Sequence, residues 1–207
     1  MRSRAALLVA SGLFGLLRNE MPSIKLAELH PIIVHFPIAL LFTSVALDML
    51  ALVLRRAGLV VTASWCLLLG VIGALAAGIS GEISSRVTIK SAAVAALVET
   101  HQRVAILSGV VFSFVLVLRL VWLSPHILRW LKPKIPALAA VESKWREIMP
   151  MLYLPRTPGG LIAVYLAVSI FGLALLGVTG YLGGVLVYDY GVGTPSGGLL
   201  PLFALLA

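Results

Sequence analysis

Four histidines and one cysteine are the side chains of this 207-residue sequence best suited to hold a transition metal. An imidazole can bind a metal or accept a proton through one ring nitrogen while a hydrogen bond fixes the other. Two of the four lie close together in "ELHPIIVHFPIALL", Glu28 to Leu41, where His30 and His35 flank the start of a long apolar run. His101 follows in "THQRVAILSGVVF", and His126 sits in a basic stretch beyond it. Cys66 has no partner, which excludes an internal disulfide, a zinc site of several thiolates and an iron–sulfur cluster held by this chain alone. Any metal would therefore rest on histidine, and with no CxxCH motif any haem would be held without covalent attachment.

The elements that must position these residues are apolar. Sixty per cent of the chain is hydrophobic and 12% charged, with a mean hydropathy of +1.08, which points to an integral membrane protein. Four windows reach the roughly 20 residues needed to cross about 30 Å of hydrocarbon: Ile32–Leu54, Val60–Ser80, Val104–Leu123 and Leu161–Val187. The expected fold is all-α, a four-helix polytopic membrane bundle over residues 28–193. Residues 1–27 combine a basic start with a 13-residue apolar run; the grammar is signal-like, and a helix lying in the interface is the preferred reading. Between the first two spans "RRAG" sets a tight turn, with Gly58 as the permissive residue. "GEISSRVTIK" reads as a polar connection after span two, with Ser91 capping an early start of the third helix. Residues 124–160 form a basic loop with a short amphipathic helix around 137–149, and residues 194–207 an apolar tail.

Charge sets the orientation. The face with the first and third connections carries nine of the 16 Lys and Arg residues, so it is expected on the cytoplasmic side of a bacterial inner membrane, with both termini outside. The formal charge of +8 then serves orientation and anionic lipid, not nucleic acid. This topology brings His30, His35 and His101 to one level at the outer face and leaves His126 apart.

On the first span His35, Ala39, Phe42, Ala46 and Met49 form a stripe that can turn His35 into the bundle, while His30 before Pro31 reads as a cap. Gly70, Ala74, Ala77 and Gly81 make a small-residue face on span two; Gly177, Gly180 and Gly184 make one on span four. Such faces serve close helix packing, or leave a flat slot for a porphyrin, quinone or pigment ring. His35 and His101 are the expected axial ligands of a haem b iron, with His30 as a neighbouring or alternative ligand and Gly70, Gly81, Gly180 and Gly184 lining the ring. Asp48, inside the first span, needs a partner, either Arg55 or Arg119, as a structural ion pair or a proton relay. Glu99 is expected to be hydrated.

"LHPIIVHFPIALLFTSVALDML", "GISGE", "THQRVAILSGVVF" with Arg119, and "GYLGGVLVYDYGVG" together resemble the bacterial membrane-domain family known as domain of unknown function 2231, over roughly residues 28–193. The resemblance implies a four-helix membrane protein. Members are sometimes joined to Rieske-type or cytochrome c domains, which implies electron transfer at the outer face and marks His30, His35, His101 and the Tyr188–Gly193 turn. No such domain is attached here, and "YDYGVG" has no histidine, so a redox partner would be a separate subunit.

Two functions follow as expectations. The first is a small haem-b-binding electron-transfer subunit of a respiratory or photosynthetic membrane complex. The second is an accessory or assembly subunit without cofactor. In both, other membrane subunits and lipid are the partners, and independent catalytic activity is not expected; no nucleophile, phosphate loop or carboxylate pair suggests hydrolysis or phosphoryl transfer.

Overall fold

The computed structural model describes residues 26–87, 91–150 and 159–192, and these are helical almost throughout. The N-terminal segment, the apolar tail and Met151–Pro158 lie outside the described residues, as does the interfacial helix expected near the N-terminus. In chain order the helices are α1 (Leu26–Ile33), α2 (His35–Leu54), α3 (Ala57–Val87), α4 (Ala92–Leu131), α5 (Leu138–Ile148) and α6 (Gly159–Tyr188). With α1 running into α2 through a turn at Val34, four helices are long and apolar enough to span a membrane. The architecture is the all-α polytopic bundle that the composition implies.

Each helix buries one narrow stripe. On α2 the stripe is Pro37, Leu41, Ser44, Val45, Asp48 and Ala51. It meets Ala63, Leu67 and Val71 of α3, Phe112 and Val115 of α4, and Tyr165 and Leu176 of α6 in one continuous core. Close approach depends on small residues: a Cβ on Gly70 would lie 2.7 Å from Leu41 Cδ2, and one on Gly172 3.1 Å from the Phe112 ring. Ser44 donates to the Ala63 carbonyl at 2.9 Å, tying α2 to α3. Outside the stripes the surface is aliphatic; on α3 alone Val61, Trp65, Leu69, Ile72, Leu75, Ile79 and Ile83 are exposed, a belt of about 33 Å by helical rise. That is the hydrocarbon thickness of a bilayer.

Several boundaries differ from the sequence reading. The left-handed residue of the α2–α3 turn is Arg55, at φ 52°, while Gly58 lies inside the first turn of α3 with open space around it. Helix α3 runs through "GEISSRV" because Glu82 and Arg86 pair at helical spacing and Ser85 bonds back to the Glu82 carbonyl. Ser91 does cap α4, accepting from the Val94 amide at 3.4 Å. Helix α4 then continues past Leu123 to Leu131, with Pro125 buried in its last turns; one proline removes one backbone donor and does not by itself end a helix that is held from the side.

Candidate functional site

Two polar groups interrupt the apolar core, one at each end. At the end where α1 begins, His30 (α1) and His101 (α4) face each other edge to face, their ring centres 6.5 Å apart and their planes at 82°. His101 Nδ1 lies 3.1 Å from the Thr179 carbonyl on α6. Because a carbonyl only accepts, Nδ1 carries the proton and Nε2 keeps its lone pair. His30 Nδ1 lies 3.0 Å from Ser80 Oγ, and that hydroxyl donates its one hydrogen to the Ala77 carbonyl at 2.9 Å. Ser80 therefore accepts from His30, which holds the same tautomer.

Each ring rests on a glycine. A Cβ on Gly81 would sit 2.9 Å from His30 Cε1, and one on Gly183 3.3 Å from His101 Cε1. The pair thus lies across a seam: α1, α2 and α3 pack as one group, α4 and α6 as another, with one imidazole contributed by each.

The placement corrects the sequence reading of the first span. His35 is exposed, and its Nδ1 donates to the Pro31 carbonyl of its own chain segment at 2.6 Å, so it does not meet His101. Ala39, Phe42, Ala46 and Met49, the rest of its stripe, are exposed too. The physical reason is Asp48: an ionisable side chain must face inward in a membrane helix, and its i−3, i−4, i−7 and i−11 neighbours are the buried stripe. His30 is no cap either, since the helix already runs from Leu26 and contains Pro31. Of the four glycines expected to line a ring, Gly81 lies at the histidine pair and Gly70 packs deeper, on Leu41. Gly180 has nothing within 4 Å, and Gly184 meets only Tyr188 of its own helix; Gly183 occupies the place expected of them.

At the other end Arg119 of α4 is buried and touches all three other spans. Its Nη2 donates to Asp48 Oδ2 on α2 and, at 2.6 Å, to Tyr165 Oη on α6. Nη1 donates to Ser64 Oγ on α3 at 3.3 Å. Tyr165 in turn donates to Asp48 Oδ2 at 2.9 Å. Among the partners considered for Asp48, Arg119 is the one engaged, and Arg55 caps the turn. Glu99 pairs with Arg103 on the exposed face of α4.

The two polar groups are in phase. His30 and Asp48, His101 and Arg119, and Gly183 and Tyr165 are each separated by eighteen residues. Eighteen residues are five helical turns, so on α4 and on α6 the two members share one face about 27 Å apart, and His30 on α1 stands at the same spacing from Asp48 on α2 across the turn at Val34. Ser80, Thr179, Gly183 and Tyr165 escaped the sequence reading, and this common spacing is the signal that would have found the last two.

Among the described residues no group of three or more His, Cys, Asp or Glu side chains could hold a metal ion. The His30–His101 pair can offer two nitrogen donors. Two imidazoles sharing one metal through nitrogens about 2 Å from it have ring centres roughly 6 Å apart, and in the ring-centre distance alone the pair is of that size.

No curated protein and no solved structure matches the chain. The profile of a family described as "Predicted membrane protein (DUF2231)" matches residues 27–196. The chain, with its four apolar spans and its paired histidines within that match, belongs to the DUF2231 family.

Proposed function

We propose that this membrane protein is an electron-transfer subunit of a larger respiratory or photosynthetic complex, in which His30 and His101 would hold a haem b. The observation that carries this reading is the pair itself: two imidazoles from separate helix groups, 6.5 Å apart, each with Nδ1–H given to a fixed oxygen. Metal-binding histidines commonly have the second nitrogen anchored in this way. When bound, the haem would supply a one-electron couple. The chain's own residues would orient the rings through Ser80 and Thr179 and admit them closely through Gly81 and Gly183. A quinone or pigment in the same seam would use the same donors. We place the histidine end on the periplasmic side of a bacterial inner membrane, where a cytochrome c or Rieske-type partner would meet it.

A second reading is favoured by one feature. Each Nδ1 bond also links two helices, α1 to α3 and α4 to α6, so the imidazoles can act as packing bonds in a cofactor-free accessory subunit. A dithionite-reduced minus oxidised spectrum of the purified chain, with pyridine extraction, separates the two. A sharp α-band lost in His30→Ala and His101→Ala but kept in His35→Ala and His126→Ala is expected. A featureless spectrum from folded protein assigns the histidines to packing.

A further inference from the structure

The other end of the bundle carries a surface that the electron-transfer reading does not use. Its depth follows from the buried charge pair. Asp48 is six residues short of Leu54, where α2 ends, and Tyr165 is four residues beyond Leu161, the first exposed aliphatic residue of α6. By helical rise the Arg119 cluster therefore lies about 6–9 Å inside the edge of the apolar belt. On α4 the same edge falls four to six residues beyond Arg119, at Leu123 to Pro125.

Past that point α4 crosses the headgroup layer, which is about 5–7 Å deep on each side, and by helical rise its residues 129 and 130 reach the outer side of that layer, about 6–10 Å beyond the edge. Arg129 and Trp130 are there, both exposed. Helix α5 folds back to the same level: Trp145 Nε1 donates to Ser124 Oγ at 2.7 Å, and Lys132 Nζ donates to Glu142 Oε2 at 2.8 Å. Lys134 Nζ sits 3.6 Å from the centre of the Trp130 ring. Three of the four tryptophans, Trp122, Trp130 and Trp145, thus cluster at one interface, as interfacial aromatic residues do.

The charge on this platform is unbalanced. Arg129, Lys134 and Lys144 are exposed and take part in no ion pair among the described residues, whereas Glu142 is already shared between Lys132 and Arg146. Val141 and Ile148 are exposed beside them.

We infer that the elbow formed by the end of α4 and by α5 is a binding surface for the phosphate headgroups of anionic phospholipid, with Arg129, Lys134 and Lys144 as its cations and Trp130 as its aromatic anchor. Lipid is the occupant because the surface lies at headgroup depth by construction of the bundle, and because its five cations, Arg129, Lys132, Lys134, Lys144 and Arg146, outnumber its two carboxylates, Glu142 and the exposed Glu147. Arg129 on α4, Lys144 on α5 and Lys134 in the turn between them, held over the Trp130 ring, present charge to a headgroup and not to an acyl chain.

The test uses the full chain, delipidated in mild detergent and titrated with phosphatidylglycerol or phosphatidylcholine, with bound lipid counted by native mass spectrometry. The wild-type chain should prefer phosphatidylglycerol by at least about tenfold. The triple variant R129Q/K134Q/K144Q should lose that preference, by up to about a hundredfold for three surface cations, with phosphatidylcholine binding and helix content unchanged. The charge-conserving R129K/K134R/K144R should retain it. Equal binding of the two lipids by the wild type, or an undiminished preference in the triple glutamine variant, would overturn the assignment. So would loss from that variant of an acidic protein subunit with lipid preference intact.

Discussion

Arg119 of α4 donates to Asp48 of α2 through the core of the bundle, and both side chains are buried there. In lipid, helices gain little from hydrophobic association, and the core around this pair contains Ser44, Ser108, Ser169 and several glycines. A polar contact that is satisfied in only one alignment therefore fixes helix register, a role well attested for buried polar groups. On α4 the five-turn spacing carries that register to His101.

Removing one partner should cost more than removing both. Arg119→Gln and Asp48→Asn are each expected to destabilise the bundle by about 3 kcal/mol, because each strands a buried polar group. The double variant should fall well short of the sum. Unfolding in mixed micelles measures all three, and simple additivity would show that the pair is not coupled.

Glycines at the histidine pair should differ sharply from glycines on the outer faces. Gly81→Ala places a methyl 2.9 Å from His30 Cε1, so the ring must move off Ser80, at an expected cost of about 1–2 kcal/mol. Gly180→Ala meets open space and should stay within about 0.5 kcal/mol of wild type. Thermal denaturation of the two variants side by side is sufficient, and equal melting would place the ring elsewhere.

Arg55 holds a left-handed conformation at φ 52° that a side chain other than glycine adopts at a cost. Replacing it with glycine should stabilise the α2–α3 hairpin by about 0.5–1 kcal/mol, the gain being reduced by glycine's greater freedom in the unfolded chain. A lower melting temperature for Arg55→Gly would mean that its charge, not its backbone, governs the turn.

The docking of α5 should be acid-sensitive. The hydrogen bond from Lys132, with Arg146 also close, holds the Glu142 carboxyl below its ordinary value of 4.5. Since the folded value is the lower one, the contribution to stability is present above 4.5 and is lost as the pH falls through the depressed value. Trp145 fluorescence should therefore be flat from neutral pH down to the carboxylate range and change below it, and Glu142→Gln should abolish that acid transition.

The number of spans, their apolar character and the Ser91 cap are legible in the sequence because they depend on local composition and helical period. The face that each helix buries is not fixed by a helix that is apolar all round, and this is why the His35 stripe was a plausible inward face. Asp48 alone breaks that symmetry. Taking it as the inward marker on α2, and Arg119 as its counterpart on α4, selects Leu41, Ser44 and Val45 together with Phe112 and Val115, and then reaches His30 and His101, each eighteen residues away. What no local pattern supplies is the pairing between helices, so Ser80 and the Thr179 carbonyl become visible as hydrogen-bond partners only in three dimensions.

The guanidinium that touches three spans also imposes an order on synthesis. Asp48 leaves the ribosome 71 residues ahead of Arg119, a delay of roughly 4–14 s at ordinary elongation rates. During that interval the first hairpin exists without its counter-charge. In that interval the Asp48 carboxyl has to be hydrated or protonated, and the third span supplies its counter-charge on arriving.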